Sequence, residues 1–366
     1  MKADCVKEKF CSAVSKAEKI AGKNMTLPVL SCLLIEAKEG SLVLRSTNLD
    51  LGIEIKVPAK VSSPGTVAVP ALVLNGFLAN TSGDGSVSLE EREGNLYLRA
   101  GDSQATIKCL SAEDFPTIPQ VKDGKEYEFN AGDFIQGLKS VWYSASLSNI
   151  KPELSSVYIH SDDDELLFVA TDSFRLAEKR IKTKKTGDFG SLLIPFKNVT
   201  DLLKIIGEER DMIEVNFTKN QISFRYKDIY IVSRVIDGVF PDYRQIIAKE
   251  FKTEIIVLKQ DLLNTLKLSN VFTDTFNQIN IKVSAEGRAL ELRTKNASVG
   301  ENVNRLTATV TGEPIEINFN HKYIVDCFPS INSDSVSLSF NGLNKPMVIR
   351  GISDKSFTYL VMPMNR

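Results

Sequence analysis

The side chains able to do bond chemistry are few in this chain and poorly spaced for it. Five cysteines, Cys5, Cys11, Cys32, Cys109 and Cys327, are scattered with no CxxC pair. They read as small buried side chains of a reducing compartment rather than as ligands or a redox couple. His160 and His321 are the two histidines, and neither forms a metal-ligand spacing with a cysteine or a second histidine. That removes the raw material for a zinc site or a Ser-His-Asp triad. The acidic run Asp162-Asp163-Asp164-Glu165 sits between two strand-like segments, where carboxylates keep a hairpin turn soluble, and it lacks EF-hand spacing. No Walker loop, GxGxxG or GxSxG occurs. No catalytic residue, metal site or cofactor is therefore expected.

What the chain holds in quantity is lysine at helical spacing. Phe10, Ala13, Val14, Ala17 and Ala21 form one apolar stripe between Val6 and Gly22, which predicts an amphipathic helix. Lys9, Lys16, Lys19 and Lys23 share another quadrant of it. Lys139 lies off the stripe formed by Phe134, Leu138, Val141 and Ala145. Lys197 and Lys204 share a face of a later helix, and Lys259, Lys267 and Lys322 accompany two more. Acidic residues gather elsewhere, at Glu90-Glu91, at 162–165 and at Glu208-Glu209 with Asp211. The net charge of −1 therefore hides a segregation. Lysine faces turned the same way would bind phosphates without reading sequence; lysines that are merely solvated remain the simpler alternative.

The elements that position these lysines recur. Leu42, Leu166 and Leu290 are spaced 124 residues apart, as are Asn48, Asp172 and Asn296, each at the end of an apolar strand-like run. Phe115-Pro116 and Phe240-Pro241 repeat the period, and Met362-Pro363 closes the third copy. A motif at constant spacing means a repeated unit. The first copy predicts a helix, strands at Val29–Ala37, Ser41–Thr47 and Gly52–Val57, a helix entered at Val69-Pro70-Ala71, and strands through Val87, Leu96 and Gln104–Leu110. The second predicts strands Val157–Ser161, Leu166–Thr171 and Leu176–Lys182. A helix entered at Leu193-Ile194-Pro195-Phe196 follows, then a hairpin at 213–226 and a strand Tyr230–Val235. The third predicts a helix through Leu262 and Leu266, strands Ile279–Val283 and Leu290–Thr294, a helix from Phe319 to Phe328, and strands Val336–Phe340, Met347–Gly351 and Phe357–Val361. The reading is α+β, with three domains at 1–120, 125–245 and 252–366. A length of 366 residues suits two or three cores. No apolar run is long enough to span a bilayer, and Met1-Lys2-Ala3-Asp4-Cys5 lacks a signal region, so a cytoplasmic protein is expected.

Four stretches carry a resemblance that covers the whole chain: Thr26-Leu27-Pro28-Val29-Leu30, the run Ala170-Thr171-Asp172-Ser173-Phe174-Arg175-Leu176, Phe240-Pro241-Asp242-Tyr243-Arg244, and the ending Tyr359-Leu360-Val361-Met362-Pro363-Met364. With the threefold repeat, the chain resembles the bacterial beta sliding clamps, the processivity subunits of DNA polymerase III. The resemblance implies three clamp domains, each of two helices packed on antiparallel sheets. It also implies a head-to-tail homodimer closed into a six-domain ring around double-stranded DNA. The protein would be a non-catalytic accessory subunit of a polymerase holoenzyme, with no cofactor and no membrane partner. Replicative polymerase, clamp loader and repair or translesion polymerases would dock short linear motifs in a pocket. The matching residues are Thr171, Phe174, Arg175, Leu176, Pro241, Ile246, Tyr323, Leu360, Val361, Met362, Pro363 and Met364.

The DNA-facing set implied is Lys9, Lys16, Lys19, Lys23, Asn24, Lys139, Lys151, Lys197, Lys204 and Lys267. The dimer contact pairs the strand of Ala105 and Ile107 with the partner's Val271 and Phe272. The chain departs from the family pattern at Ser173-Phe174, commonly Gly-His, at Gln245, commonly arginine, and at Asn24, often arginine. The loop at 148–153 keeps Lys151 but lacks aromatic residues. The first change makes the pocket more apolar and the second removes a charge, so an altered peptide preference is expected. Two other readings use the same residues: an interaction scaffold that forms no ring, and a nucleic-acid enzyme. The enzyme would need clustered carboxylates or a nucleotide-binding lysine motif.

Overall fold

The computed structural model describes residues 1–22, 27–83, 85–122, 124–183, 189–207, 209–248, 250–283 and 289–364. Six α-helices occur among them: α1 (Lys7–Glu18), α2 (Ala71–Ala79), α3 (Ala131–Val141), α4 (Phe196–Ile206), α5 (Lys259–Asn270) and α6 (His321–Asp326). All strand pairing is antiparallel. The chain forms two compact units, residues 1–135 with 197–235, and residues 136–196 with 236–366.

The first unit is built on one twelve-stranded sheet. Its continuity comes from Leu51–Ser63, which pairs with Lys2–Val6, with Ser41–Thr47 and, through Ile55 opposite Ile229, with Ile229–Arg234. Alternation drives the pairing: Ile53, Ile55 and Val57 point inward, while Lys56 points to water. Phe10, Ala13, Val14 and Ala17 of α1 are buried, as the periodicity predicts. The second unit holds a nine-stranded sheet and a four-stranded one. In the larger, Arg175–Lys182 pairs with Phe357–Val361, placing Arg175 opposite Val361 and Leu176 opposite Leu360. Strands of the expected central copy thus extend a first-copy sheet in one unit and a third-copy sheet in the other.

The repeated motif has a physical basis. Ser41–Thr47 and Glu165–Thr171 each end in a threonine followed by an Asx turn. Asn48 Oδ1 accepts from the Asp50 and Leu51 amides at 3.0 and 2.8 Å. Asp172 Oδ1 accepts from Phe174 and Arg175 at 2.9 and 3.0 Å. Thr47 and Thr171 hydroxyls donate to the carbonyls of Leu51 and Arg175, and both accept an amide two residues on. Asn296 Oδ1 accepts the Ser298 amide in the third copy. Short polar side chains that bond their own backbone are what such turns need.

Several element boundaries differ from expectation. Pro28–Ser31 is a 3-10 turn, and the strand begins at Cys32, because Pro28 has no amide to donate. Ser191–Pro195 is a strand paired with Ser156–Asp162, so α4 starts at Phe196 and not within Leu193-Ile194. Phe319 and Asn320 likewise end the strand Ile315–Asn320, and the Asn320 side chain caps α6. Short apolar runs before a helix do not reveal their own period. α3 stops at Val141, and a 3-10 turn covers Trp142–Ser144. Lys2–Val6, Gly65–Pro70, Lys125–Asn130, Thr253–Leu258, Gly300–Thr307 and Thr309–Gly312 are further strands, several of them charged on the outer face.

Candidate peptide pocket and nucleic-acid interface

The expected pocket residues all belong to the second unit. Three of them are buried apolar side chains: Leu176, Leu360 and Val361 are 3%, 2% and 0% exposed. Leu176 and Leu360 pack in one cluster with Val169, Leu193, Phe240, Tyr243 and Val348. The segment that carries Pro241 and Ile246 has little regular pairing of its own and is held from below. Phe240 stacks on Tyr158 with centroids 4.7 Å apart and planes 7° from parallel. Tyr243 Oη lies 3.1 Å from His160 Nε2, and Arg244 pairs with Asp162 at 2.8 Å. Burial holds His160 below the ordinary imidazole value and pushes the Tyr243 phenol up. Pro241 and Ile246 are left exposed above this anchorage.

Four of the expected pocket residues, counting Leu176, come from the Asx turn at 171–175 and the strand after it, where Thr171 is half-buried. Phe174 is 62% exposed, and its carbonyl accepts the Met362 amide at 2.7 Å. Met362, Pro363 and Met364 are half-buried, and the Met364 amide donates to the Asn318 carbonyl. Arg175 does something other than wait for a ligand. Its Nε donates to Asp172 at 2.9 Å, its Nη1 to Asp326 at 2.6 Å, and its guanidinium lies 4.4 Å over the Tyr323 ring. Burial disfavours its charge, but nearby Tyr359 and Asp326 more than compensate, and its pKa is raised overall. Arg175 thereby ties the turn to α6.

The implied DNA-facing set divides by environment. Lys9 is exposed on α1 and Lys19 at its C-terminal cap, Lys197 and Lys204 on α4, Lys139 on α3, Lys267 on α5, and Lys151 in the loop after the 3-10 turn. Lys16 is half-buried, its amine 5.8 Å from the centre of the Tyr226 ring, and burial lowers its pKa. Lys19 donates to the Lys204 carbonyl at 2.8 Å, and Lys204 pairs with Asp201. Lys23 and Asn24 lie outside the described residues, as does Thr26 of the first motif. Lys259, grouped with the basic faces, instead donates to the Ile331 carbonyl. Lys56, on the strand Leu51–Ser63, lines a groove of about 340 Å³ with Lys9, Lys16, Glu8 and Asp228.

The implied contact strand, Ser103–Lys108, pairs among the described residues only with Asn95–Ala100, leaving an open backbone edge. On this strand Ile107 is 5% exposed and Ala105 half-buried. Beside it in the unit, α2 exposes Leu72 and Val73, which period-based reading assigned no role. In the second unit Val271 is exposed and Phe272 half-buried, and Leu268, Phe276, Val299 and Val303 are also open to solvent, the last on the edge strand Gly300–Thr307.

Among the described residues, a pair of helices and antiparallel sheet recur three times along the chain, which defines a repeated α+β protein. Family models agree along nearly the whole chain: the N-terminal, central and C-terminal domains of the DNA polymerase III beta subunit match residues 1–119, 128–242 and 244–365. The "Beta sliding clamp" of Synechococcus elongatus is 29% identical over 373 residues, covering 100% of this chain and 99% of that protein. A DnaN sliding clamp from Bartonella birtlesii, solved bound to griselimycin, superposes with a TM-score of 0.94 at 25% identity, covering 100% of both chains. The DNA polymerase III beta subunit of Pseudomonas aeruginosa shares the fold, with a TM-score of 0.93 at 20% identity over 100% of both chains. The chain belongs to the DNA polymerase III beta subunit family, the bacterial beta sliding clamps.

Proposed function

We propose that this protein is a replication sliding clamp: a homodimeric ring that encircles duplex DNA and tethers the replicative polymerase without catalysing a reaction itself. The observation that carries the reading is the match of three successive clamp-domain models in order along the chain. Ring closure would join the open edge Ser103–Lys108, with Leu72 and Val73 beside it, to a second copy's Gly300–Thr307 edge and its apolar residues Val271, Phe272 and Phe276. Strand addition at an edge supplies directional hydrogen bonds, and the apolar patches supply burial. The domains are taken as 1–120, 125–245 and 252–366. DNA would meet exposed lysines such as Lys9, Lys197 and Lys267 through phosphate contacts that permit sliding. Polymerase, loader and repair proteins would dock short motifs in the pocket of Thr171, Phe174, Arg175, Leu176, Pro241, Ile246, Tyr323 and Leu360–Met364. The protein would act in the cytoplasm. The test is retention: after loading, nicked circular DNA should hold the protein through gel filtration, and linearising the DNA should release it. Equal retention on both forms would refute encirclement.

A further inference from the structure

The three Asx turns provide an internal comparison that isolates one side chain. Two residues after Asn48, Asp172 and Asn296 stand Asp50, Phe174 and Ser298. The turn itself accepts a polar residue at this place twice, so the fold does not require phenylalanine there. The backbone around Phe174 is nevertheless fixed. Its amide donates to Asp172 Oδ1, its carbonyl accepts from Met362, and Ser173 before it is held at φ 79° with its amide on Thr171 Oγ1. An aromatic ring 62% exposed on so constrained a turn loses little conformational freedom on contact. Asp172, in the same turn, and Asp326 both pair with the guanidinium of Arg175, two carboxylates on one cation.

Resting on the peptide-pocket reading, we propose that Phe174 determines the specificity of that pocket: it selects a peptide with an aromatic or large aliphatic side chain flanked by neutral or basic residues. Arg175 is a positioning residue, holding the turn to α6 while Phe174 makes the contact. A ring packed on Phe174 gains offset or edge-to-face stacking that a polar side chain does not. An acidic flank meets this carboxylate pair, whereas a lysine flank is attracted to it.

The experiment uses the full-length protein and fluorescein-labelled, amidated hexapeptides of leucine and alanine, each position replaced in turn by Phe, Gln, Asp and Lys. Anisotropy titration should show one position where Phe binds about three- to tenfold more tightly than Gln, with neighbouring Lys favoured over Asp and that preference shrinking at high salt. Phe174→Ser, which installs the residue of the third turn, should abolish the Phe-over-Gln preference, and Phe174→Leu should keep an apolar preference. The same ranking in wild type and Phe174→Ser would overturn this inference alone, since binding itself would persist. A preference for acidic flanks would overturn its charge component. No binding of any peptide to wild type would overturn the pocket reading, and this inference with it.

Discussion

Asp172 makes two separable kinds of contact, and two substitutions pull them apart. Its Oδ1 accepts the Phe174 and Arg175 amides, while its Oδ2 accepts Arg175 Nε at 2.9 Å. Asp172→Asn keeps the Oδ1 acceptor, as Asn48 does in the first copy, and removes the charge. The Arg175 and Asp172 side chains are 11% and 14% exposed, so water screens their pair little, and losing this charge-assisted bond costs about 2 kcal/mol. Asp172→Ala also loses both amide bonds. The Phe174 amide turns to water at small cost, whereas the Arg175 amide is half-buried, so this second loss adds about 1–2 kcal/mol. Asn48→Ala loses only the corresponding turn bonds and should cost the same about 1–2 kcal/mol. The Asp172→Ala cost minus the Asp172→Asn cost should therefore equal the Asn48→Ala cost within about 0.5 kcal/mol. Urea unfolding gives the energies, and native-state exchange of the Phe174 and Arg175 amides localises them. Equal costs for Asp172→Asn and Asp172→Ala would mean that Oδ1 does not hold the turn, and would refute the reasoning.

Burial keeps His160 and His321 below the ordinary imidazole value of 6.5. Both are neutral in the fold, so the unfolded chain takes up protons first on acidification. Stability should be full above about pH 6.5 and fall as pH drops through the lower folded values, read as melting temperature against pH; a flat profile would contradict the shifts. Phe240→Ala removes the ring stacked on Tyr158 and should destabilise by about 3–4 kcal/mol in urea, loosening the segment under Pro241 and weakening peptide binding. Lys7 donates to the carbonyls of Thr81, Ser82 and Gly83 at 2.6–3.1 Å. Lys7→Met should cost about 1–2 kcal/mol while leaving DNA affinity unchanged, because that amine is occupied. Lys9→Ala and Lys197→Ala, by contrast, should each lower the slope of log affinity against log salt by about 1 with little effect on melting. Unchanged slopes would remove those two lysines from the phosphate contacts.

The sequence alone determined the period, the class and much of the core. The Leu42, Leu166 and Leu290 register survives as three strands, and Phe10, Leu138 and Leu266 are buried as helical spacing requires. These are local properties, because side-chain direction along a helix or strand follows from backbone geometry. It did not determine which strands meet. That Leu51–Ser63 would continue into Ile229–Arg234, or Arg175–Lys182 into Phe357–Val361, depends on pairing between residues more than a hundred positions apart, which no periodicity encodes. The same limit applied to charge. Arg175 and Lys259 are both engaged by groups brought to them by the fold, Asp326 and the Ile331 carbonyl. Ile107, which the resemblance assigned to the dimer contact, is 5% exposed in its own unit. Composition states which groups a chain carries, but whether a charge is spent internally or left for a partner is decided by tertiary proximity, since ion pairs and burial act over a few ångströms of space and not of sequence.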